Sequence, residues 1–288
     1  MNEKDFEKMN QKHLKKEPES KTKTKPLAGT DLEDCLKKAL YRKEFQIYYQ
    51  PIIDVASERI AGMEALLRWN RPDAGMVYPD DFIPTAEETE LIVPIGEWVL
   101  HTACLQAQIW RNAGYGPLKL AVNISPVQLQ HKNFIPTVEK VLKETEFDPN
   151  CLELEITESV VFRNLDFVAD TLRRLKKVGI IISMDDFGTG YSSLENINRL
   201  TVDSLKIDQT FIRNLETNPS SKEIISATMI MANNLNLEVT AEGVEIHSQL
   251  NFLKQHKCHY FQGYLYSPPI PAEKFQEILK AEKQQKTV

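Results

Sequence analysis

The sequence predicts an α/β protein built as a modified (β/α)8 TIM-like barrel. Strand-like and helix-like stretches alternate roughly every 25–35 residues, the rhythm of βαβ units around a mostly parallel sheet. About seven or eight such strands over roughly 255 residues match the size of this barrel. Near the start, two strands are joined by only the short link 54–58, which reads as a hairpin. One strand there therefore runs antiparallel to its neighbour. A doubly wound open sheet is the competing architecture, but no glycine-rich phosphate fingerprint follows the first strand.

Taken in order, residues 1–29 are rich in Lys, Glu, Gln, Ser and Thr. They carry too little apolar surface to offset ordering entropy, so they are expected to form a disordered charged tail. The barrel is expected over 30–288. Thr30 and Glu33 fit a capping box that opens a helix through Leu36, Leu40 and Tyr41. FQIYYQPIID (45–54) and RIAGMEALLRW (59–69) are the hairpin strands. NRPDAGMVYPDDFIP (70–84) is irregular, and a long helical pattern runs from about Glu90 to Asn112. Strands then fall at LKLAVNIS (118–125), CLELEITE (151–158), IIISMDD (180–186), VDSLKID (202–208) and LEVTAEGVE (237–245). A last short strand begins CHYFQGY (258–264). Helical patterns separate them, including YSSLENINRL (191–200), and an amphipathic helix follows from Ala272.

Composition excludes several classes. With 42% hydrophobic and 26% charged residues and a net charge of −6, the chain resembles ordinary globular proteins and is unsuited to non-specific nucleic-acid binding. No apolar run reaches the roughly 20 residues of a membrane-spanning helix. The first residues lack the apolar core of a secretory signal. Cys35, Cys104, Cys151 and Cys258 lie far apart, so neither a disulfide framework nor a zinc knuckle is expected. These features favour a reducing, cytoplasmic setting.

Polar residues recur where the strands end. Glu64 and Arg68, Asn123, Glu155 and Glu158, Asp185 and Asp186, Lys206 and Asp208, and Glu242 and Glu245 occupy these positions. Singly, each is as well explained as a helix cap, a turn or a solvated side chain. In a parallel barrel they share one rim, the rim where such enzymes place their chemistry. So many carboxylates on one rim repel, so several hold protons or something positive sits among them. A set of Glu, Asn, Glu, Asp and Glu without Cys or His is a hard-cation set, suited to Mg²⁺ or Mn²⁺ and less to Ca²⁺. Adjacent Asp185 and Asp186 leave room for a second ion, as in two-metal phosphoester hydrolysis. A two-carboxylate glycosidase would leave most of these acids unexplained. No HExxH, GxSxG or GxxxxGK motif is present.

The motifs YQPI (49–52), EALLRW (64–69), NIS (123–125), EITES (155–159), DDFGTGYSS (185–193), LKID (205–208), AEGVE (241–245) and QGY (262–264) occur in this order. Together they resemble the EAL-domain family, the cyclic di-GMP phosphodiesterases, over about residues 31–275. The resemblance implies a modified barrel that hydrolyses one phosphodiester of cyclic di-GMP to give linear pGpG. By the same resemblance Glu64, Asn123, Glu155 and Asp185 hold the first metal with Glu242 nearby, and Asp186 helps hold the second. Lys206 contacts the nucleophilic water and Glu242 is the candidate general base. Arg68 binds a phosphate oxygen, and Gln50 and Gln262 contact the nucleotide. Glu158 and Glu245 act from behind the ligands. Gly188 and Gly190 let the loop after the Asp pair move, and Glu158 holds that loop. One or two Mg²⁺ or Mn²⁺ ions are implied, with Ca²⁺ inhibitory.

A homodimer paired near the Asp–Asp loop, and a regulatory protein partner, are implied by analogy. Two departures from the family pattern stand out: His259 where many members have an acid, and Glu90 where many have glycine. The competing function is a catalytically inactive cyclic di-GMP receptor acting through a partner. An unrelated metal-dependent phosphoesterase is a third alternative.

Overall fold

The computed structural model describes residues 29–158, 165–188 and 199–285. The element order begins with α1 (Gly29–Arg42), β1 (Phe45–Asp54), β2 (Ile60–Arg71) and β3 (Gly75–Val77). Helices α2 (Ile83–Glu88) and α3 (Ile92–Trp110) follow, then β4 (Lys119–Ile124), α4 (Pro126–Gln130) and α5 (Phe134–Thr145). Next come β5 (Leu152–Thr157), α6 (Leu165–Val178), β6 (Ile181–Phe187), β7 (Ser204–Ile207), α7 (Gln209–Arg213) and α8 (Pro219–Asn234). The chain finishes with β8 (Glu238–Ala241), α9 (His247–Gln255), β9 (Tyr260–Phe261), β10 (Ile270–Pro271) and α10 (Ala272–Gln285).

Among the described residues, β1, β2 and β4 to β9 close a barrel. Strands β2, β4, β5, β6, β7, β8 and β9 run parallel. β1 is antiparallel to β2 on one side and to β9 and β10 on the other. This is the expected α/β barrel with one reversed strand near its start. The reversal has a consequence for the rim. β1 enters at the end where its parallel neighbours finish, so Gln50 lies in register with Glu64.

Alternation divides each strand between two environments. On β2, Met63, Ala65, Leu67 and Trp69 are buried under the helices. Glu64 and Arg68 lie on the other face, toward the barrel axis. Two aromatic groups anchor the outer layer. Trp69 meets Phe82 edge-on at 5.6 Å, with Phe45 beside both. Tyr49 packs edge-on against Trp110 at 4.9 Å, and Phe275 of α10 joins them. Such pairs each contribute about 0.5–1.5 kcal/mol beyond area burial. The second group ties the last helix to the reversed strand.

Three local expectations are corrected. The stretch 70–84 contains β3, which pairs back onto β2 through Trp69 and Val77. The long helix runs close to its expected span as α3, but a short helix, α2, that was not expected precedes it, and Glu90 with φ 57° lies between the two. That left-handed backbone explains why glycine suits this position. Thr30 lies inside α1 rather than capping it. Residues 1–28 and nearly all of YSSLENINRL lie outside the described residues. Among the described residues, no helix is long and apolar enough to cross a membrane.

Candidate active site

The strand ends of the barrel meet at Lys206. Both faces of β7 are buried, and Lys206 is 1% exposed. Its Nζ lies 2.7 Å from Glu155 Oε1 and 2.7 Å from Glu242 Oε1. Asp185 Oδ1 is 3.5 Å away and Glu64 Oε2 3.6 Å. These are ion-pair contacts: among the described residues Nζ makes no hydrogen bond of good geometry, and neither does the buried Glu155 Oε2. The positive group that the acidic rim requires is therefore supplied in part by the chain itself. Among the described residues, no group of three or more His, Cys, Asp or Glu side chains stands arranged as a ready metal site. The ammonium is the cation at the centre of these acids.

Each acid is placed by its own strand. Glu64 of β2 accepts from Asn123 Nδ2 of β4 at 2.6 Å. Asn123 and Glu155 are register partners on β4 and β5. Gln262, just after β9, donates Nε2 to Glu64 Oε2 at 2.6 Å and to Gln50 Oε1 at 2.7 Å. Gln50 in turn donates to the Ser267 carbonyl at 3.1 Å. Gln262 can reach inward because Gly263 lets the backbone approach: a Cβ there would lie 2.1 Å from the Val244 carbonyl oxygen. Substitution at Gly263 would thus push the amide off Glu64.

The two adjacent aspartates need a special device. In a regular strand their side chains would point to opposite faces. Met184 pairs with Leu205 and Phe187 with Ile207, so β6 uses one residue more than β7 over this interval. This is a β-bulge, with Asp185 and Asp186 set against the single Lys206. Asp186 adopts φ 56°, and its N–H donates to Asp185 Oδ1 at 2.9 Å. The left-handed conformation is uncommon outside glycine, though Asp is among the residues that tolerate it. It recurs where function requires an unusual side-chain direction.

Electrostatics match this crowding. Burial pushes Glu155 well above the usual carboxylate range, and the adjacent Glu64 adds to the shift. Burial likewise pushes Glu242 to about 8, with Lys206 pulling it back and Asp185 and Glu64 raising it. Asp186 rises to about 6 through burial and then the Asp185 and Asp208 charges. Burial also opposes the net downward shift of Glu64, but Lys206 and the Gln262 and Asn123 amides outweigh it. Lys206 is raised because Asp185, Glu155, Glu242 and Glu64 outweigh its burial. At neutral pH the apoprotein therefore holds protons on some of these acids, as the count of rim charges implies.

The remaining expected residues separate. Arg68 lies beyond Leu66 on the β2 face that carries Glu64, and its Nη1 donates to the Leu67 carbonyl at 2.9 Å. Asp208 caps α7 by accepting from Thr210 N at 2.9 Å, the ordinary structural role. Glu245 lies near the surface, its carboxylate 3.4 Å from Arg213 Nε. Glu158 is buried, and neither of its side-chain oxygens has a hydrogen-bond partner among the described residues. Gly188 has φ 95°, while Gly190 lies outside the described residues. His259 precedes the two-residue β9, on the opposite side of it from Gln262, and accepts from Val239 N at 3.1 Å. Tyr48 and Tyr78, whose rings face the Arg68 guanidinium at 5.8 and 5.1 Å, were not expected at the rim. The unrecognised strand β3 concealed Tyr78.

The EAL-domain family model matches residues 33–269. The bifunctional diguanylate cyclase/cyclic di-GMP phosphodiesterase MucR of Pseudomonas aeruginosa is 42% identical over 238 residues, covering 83% of this chain and 35% of MucR. Cyclic di-GMP phosphodiesterase NbdA of the same organism is 38% identical over 250 residues, covering 87% and 32%. The chain thus spans about a third of the length of curated relatives it matches. Among solved structures, the PaMucR phosphodiesterase in complex with c-di-GMP has a TM-score of 0.82 at 41% identity, covering 85% of this chain and 99% of that one. The barrel with its one reversed strand, the acids gathered on Lys206 and these likenesses agree: the chain belongs to the EAL-domain family.

Proposed function

We propose that the chain is a metal-dependent phosphodiesterase that hydrolyses cyclic di-GMP to linear 5′-pGpG. What carries the reading is the convergence of Glu64, Glu155, Asp185 and Glu242 on one buried lysine, in a chain of this family. A hard divalent cation suits these residues. The donors are all oxygen, Glu155 Oε2 is buried without a hydrogen bond among the described residues, and burial raises Glu155 and Glu242, a cost of ionisation that a bound cation would offset. Glu64, Asn123, Glu155, Asp185 and Glu242 would hold the first ion, and Asp186 the second. Bound there, Mg²⁺ or Mn²⁺ supplies a water acidic enough to attack near neutral pH and offsets phosphate charge.

The chain's own groups do the rest. Arg68 takes a phosphate oxygen, and Lys206 orients the attacking water and steadies negative charge that grows on the phosphate oxygens. Glu242 Oε1, 2.7 Å from Lys206 Nζ, accepts the proton of that water. Gln50 and Gln262 hold the nucleotide. Attack on phosphorus breaks the bond to the 3′ oxygen and leaves a 5′ phosphate on the linear product. The bulge at Asp186 sets how the chain leaves β6, and Glu158, just after the neighbouring β5, would couple the loop that follows to the site. Pairing of two copies near this loop would give a homodimer and a route for control by a partner protein.

The test is turnover of cyclic di-GMP by the purified chain with Mg²⁺ or Mn²⁺, followed by chromatography. Appearance of pGpG that stops in EDTA, and is suppressed by Ca²⁺, supports the proposal. Continued hydrolysis in EDTA refutes the metal role. Tight nucleotide binding without pGpG identifies the receptor alternative instead.

A further inference from the structure

Arg68 is a cation beside an acidic site, yet the ion pairs among the described residues do not include it. The nearest acid on its own face, Glu64, is occupied by Asn123, Gln262 and Lys206. Arg68 instead lies partly buried between two aromatic rings. Its guanidinium sits 5.1 Å from the centre of the Tyr78 ring and 5.8 Å from that of Tyr48. Its Nη1 is held by the Leu67 carbonyl. The rings come from opposite sides of β2. Tyr48 stands on β1, in register with Leu66. Tyr78 directly follows β3, whose Val77 pairs with Trp69. The short hairpin of β2 and β3 therefore fixes where Tyr78 falls.

We infer that Tyr78 is a positioning residue for substrate binding: with Tyr48 it clamps the Arg68 guanidinium toward the phosphate of the cyclic dinucleotide and away from the carboxylates below. An arginine side chain has much rotational freedom, and ordering it after the substrate arrives weakens binding. Aromatic faces hold a guanidinium electrostatically without neutralising it, more strongly where water is partly excluded. A carboxylate in the same place would hold Arg68 equally well but would compete with phosphate. Tyr78 is itself 39% exposed, so its ring is not required to fill the core.

This inference rests on the proposed function, and the experiment separates the two. KM and kcat for cyclic di-GMP with Mn²⁺ are measured for the wild type, Tyr78→Ala, Tyr78→Phe, Arg68→Ala and the Arg68→Ala/Tyr78→Ala double variant. Melting temperatures serve as folding controls, and nucleotide Kd by calorimetry is a second readout. Tyr78→Ala is expected to raise KM and Kd about tenfold with kcat within about twofold, a pure binding loss of about 1.4 kcal/mol. Tyr78→Phe restores wild-type values because the ring face remains. The double variant is no worse than Arg68→Ala alone. Wild-type KM in Tyr78→Ala, a Phe variant as poor as Ala, or fully additive losses in the double variant would each overturn the clamp. If Arg68→Ala itself binds and turns over normally, the assignment of Arg68 to the phosphate fails first. If the wild type binds without turnover, the Kd series decides the clamp by the same criteria. If the wild type neither binds nor hydrolyses the nucleotide, both readings fall.

Discussion

The two ends of the barrel interior hold similar residues in opposite states of satisfaction. At the end away from the rim, Lys119 Nζ pairs with Glu238 Oε2 at 2.5 Å, and Tyr260 OH donates to Glu238 Oε1 at 3.1 Å. Buried Glu153 accepts from Ser204 Oγ at 2.9 Å. There the one lysine has one close acid and each acid has a hydrogen bond. At the rim, one lysine faces Glu64, Glu155, Asp185 and Glu242, and among the described residues the buried Glu155 Oε2 lacks a hydrogen-bond partner. Both clusters come from inward positions of the same strands. Charged residues inside a barrel are therefore not by themselves a sign of chemistry. Surplus like charge, buried and incompletely paired, is the sign, because its cost persists only where a ligand or reaction uses it.

The strongest way to break this contrast is to remove an acid from the rim. Glu64→Ala is expected to lower turnover by more than about 10³-fold, the scale of losing central electrostatic machinery. Calorimetric titration with Mn²⁺ should show the metal affinity lost as well. Retained turnover would mean that the rim acids are not a metal set. Lys206→Ala should lose about 10²–10³-fold in kcat while still binding Mn²⁺. Without metal, this variant is expected to be less stable by about 3–5 kcal/mol, because an ion pair loses its buried partner. Adding Mn²⁺ should restore much of that loss, and denaturant unfolding with and without the ion measures it.

The ends should also respond differently to pH. Glu242 titrates near 8 in the folded chain and at the ordinary carboxylate value when unfolded. Between these values only the folded state keeps the proton, so apoprotein stability falls as pH rises through this window and levels off above it. The loss amounts to about a few kcal/mol. Thermal melts in EDTA at several pH values should show the decline, and Mg²⁺ should flatten it. Lys119 is raised, its burial being outweighed by the hydrogen bond and charge of Glu238. Its stabilising contribution is complete below the usual lysine value and is lost only as pH rises through the higher folded value. Lys119 therefore adds no slope near neutrality. The smallest effect is expected there: Lys119→Met with Glu238→Leu should leave turnover within about twofold and stability within about 1 kcal/mol, because a partly exposed pair is worth little. A large loss of activity in that double variant would erase the distinction between the two ends.

Much of this was written in local pattern. Apolar periodicity marked the alternating strands and helices, because burial on one face of each element imposes its own repeat. The position of Asn123, Glu155, Asp185 and Glu242 at strand ends was equally visible, since parallel strands bring like ends together, whereas Glu64 lies within β2, level with Ala121 of β4. What the linear order left open was settled by neighbours across the barrel. Lys206 was as compatible with solvent as with the core until β7 was enclosed on both faces. Asp208 had the same strand-end credentials as Asp185, yet its oxygen turned to cap α7. The bulge that sets two adjacent aspartates against one lysine depends on the register of β6 with β7. Tyr78 reached Arg68 only because three residues of β3 paired back onto β2. The sequence alone determined most of the strands and helices and which ends carry charge, because these follow from local periodicity, while the short β3 did not show. The tertiary structure decided which charges meet, because pairing between distant strands sets register, burial and partner.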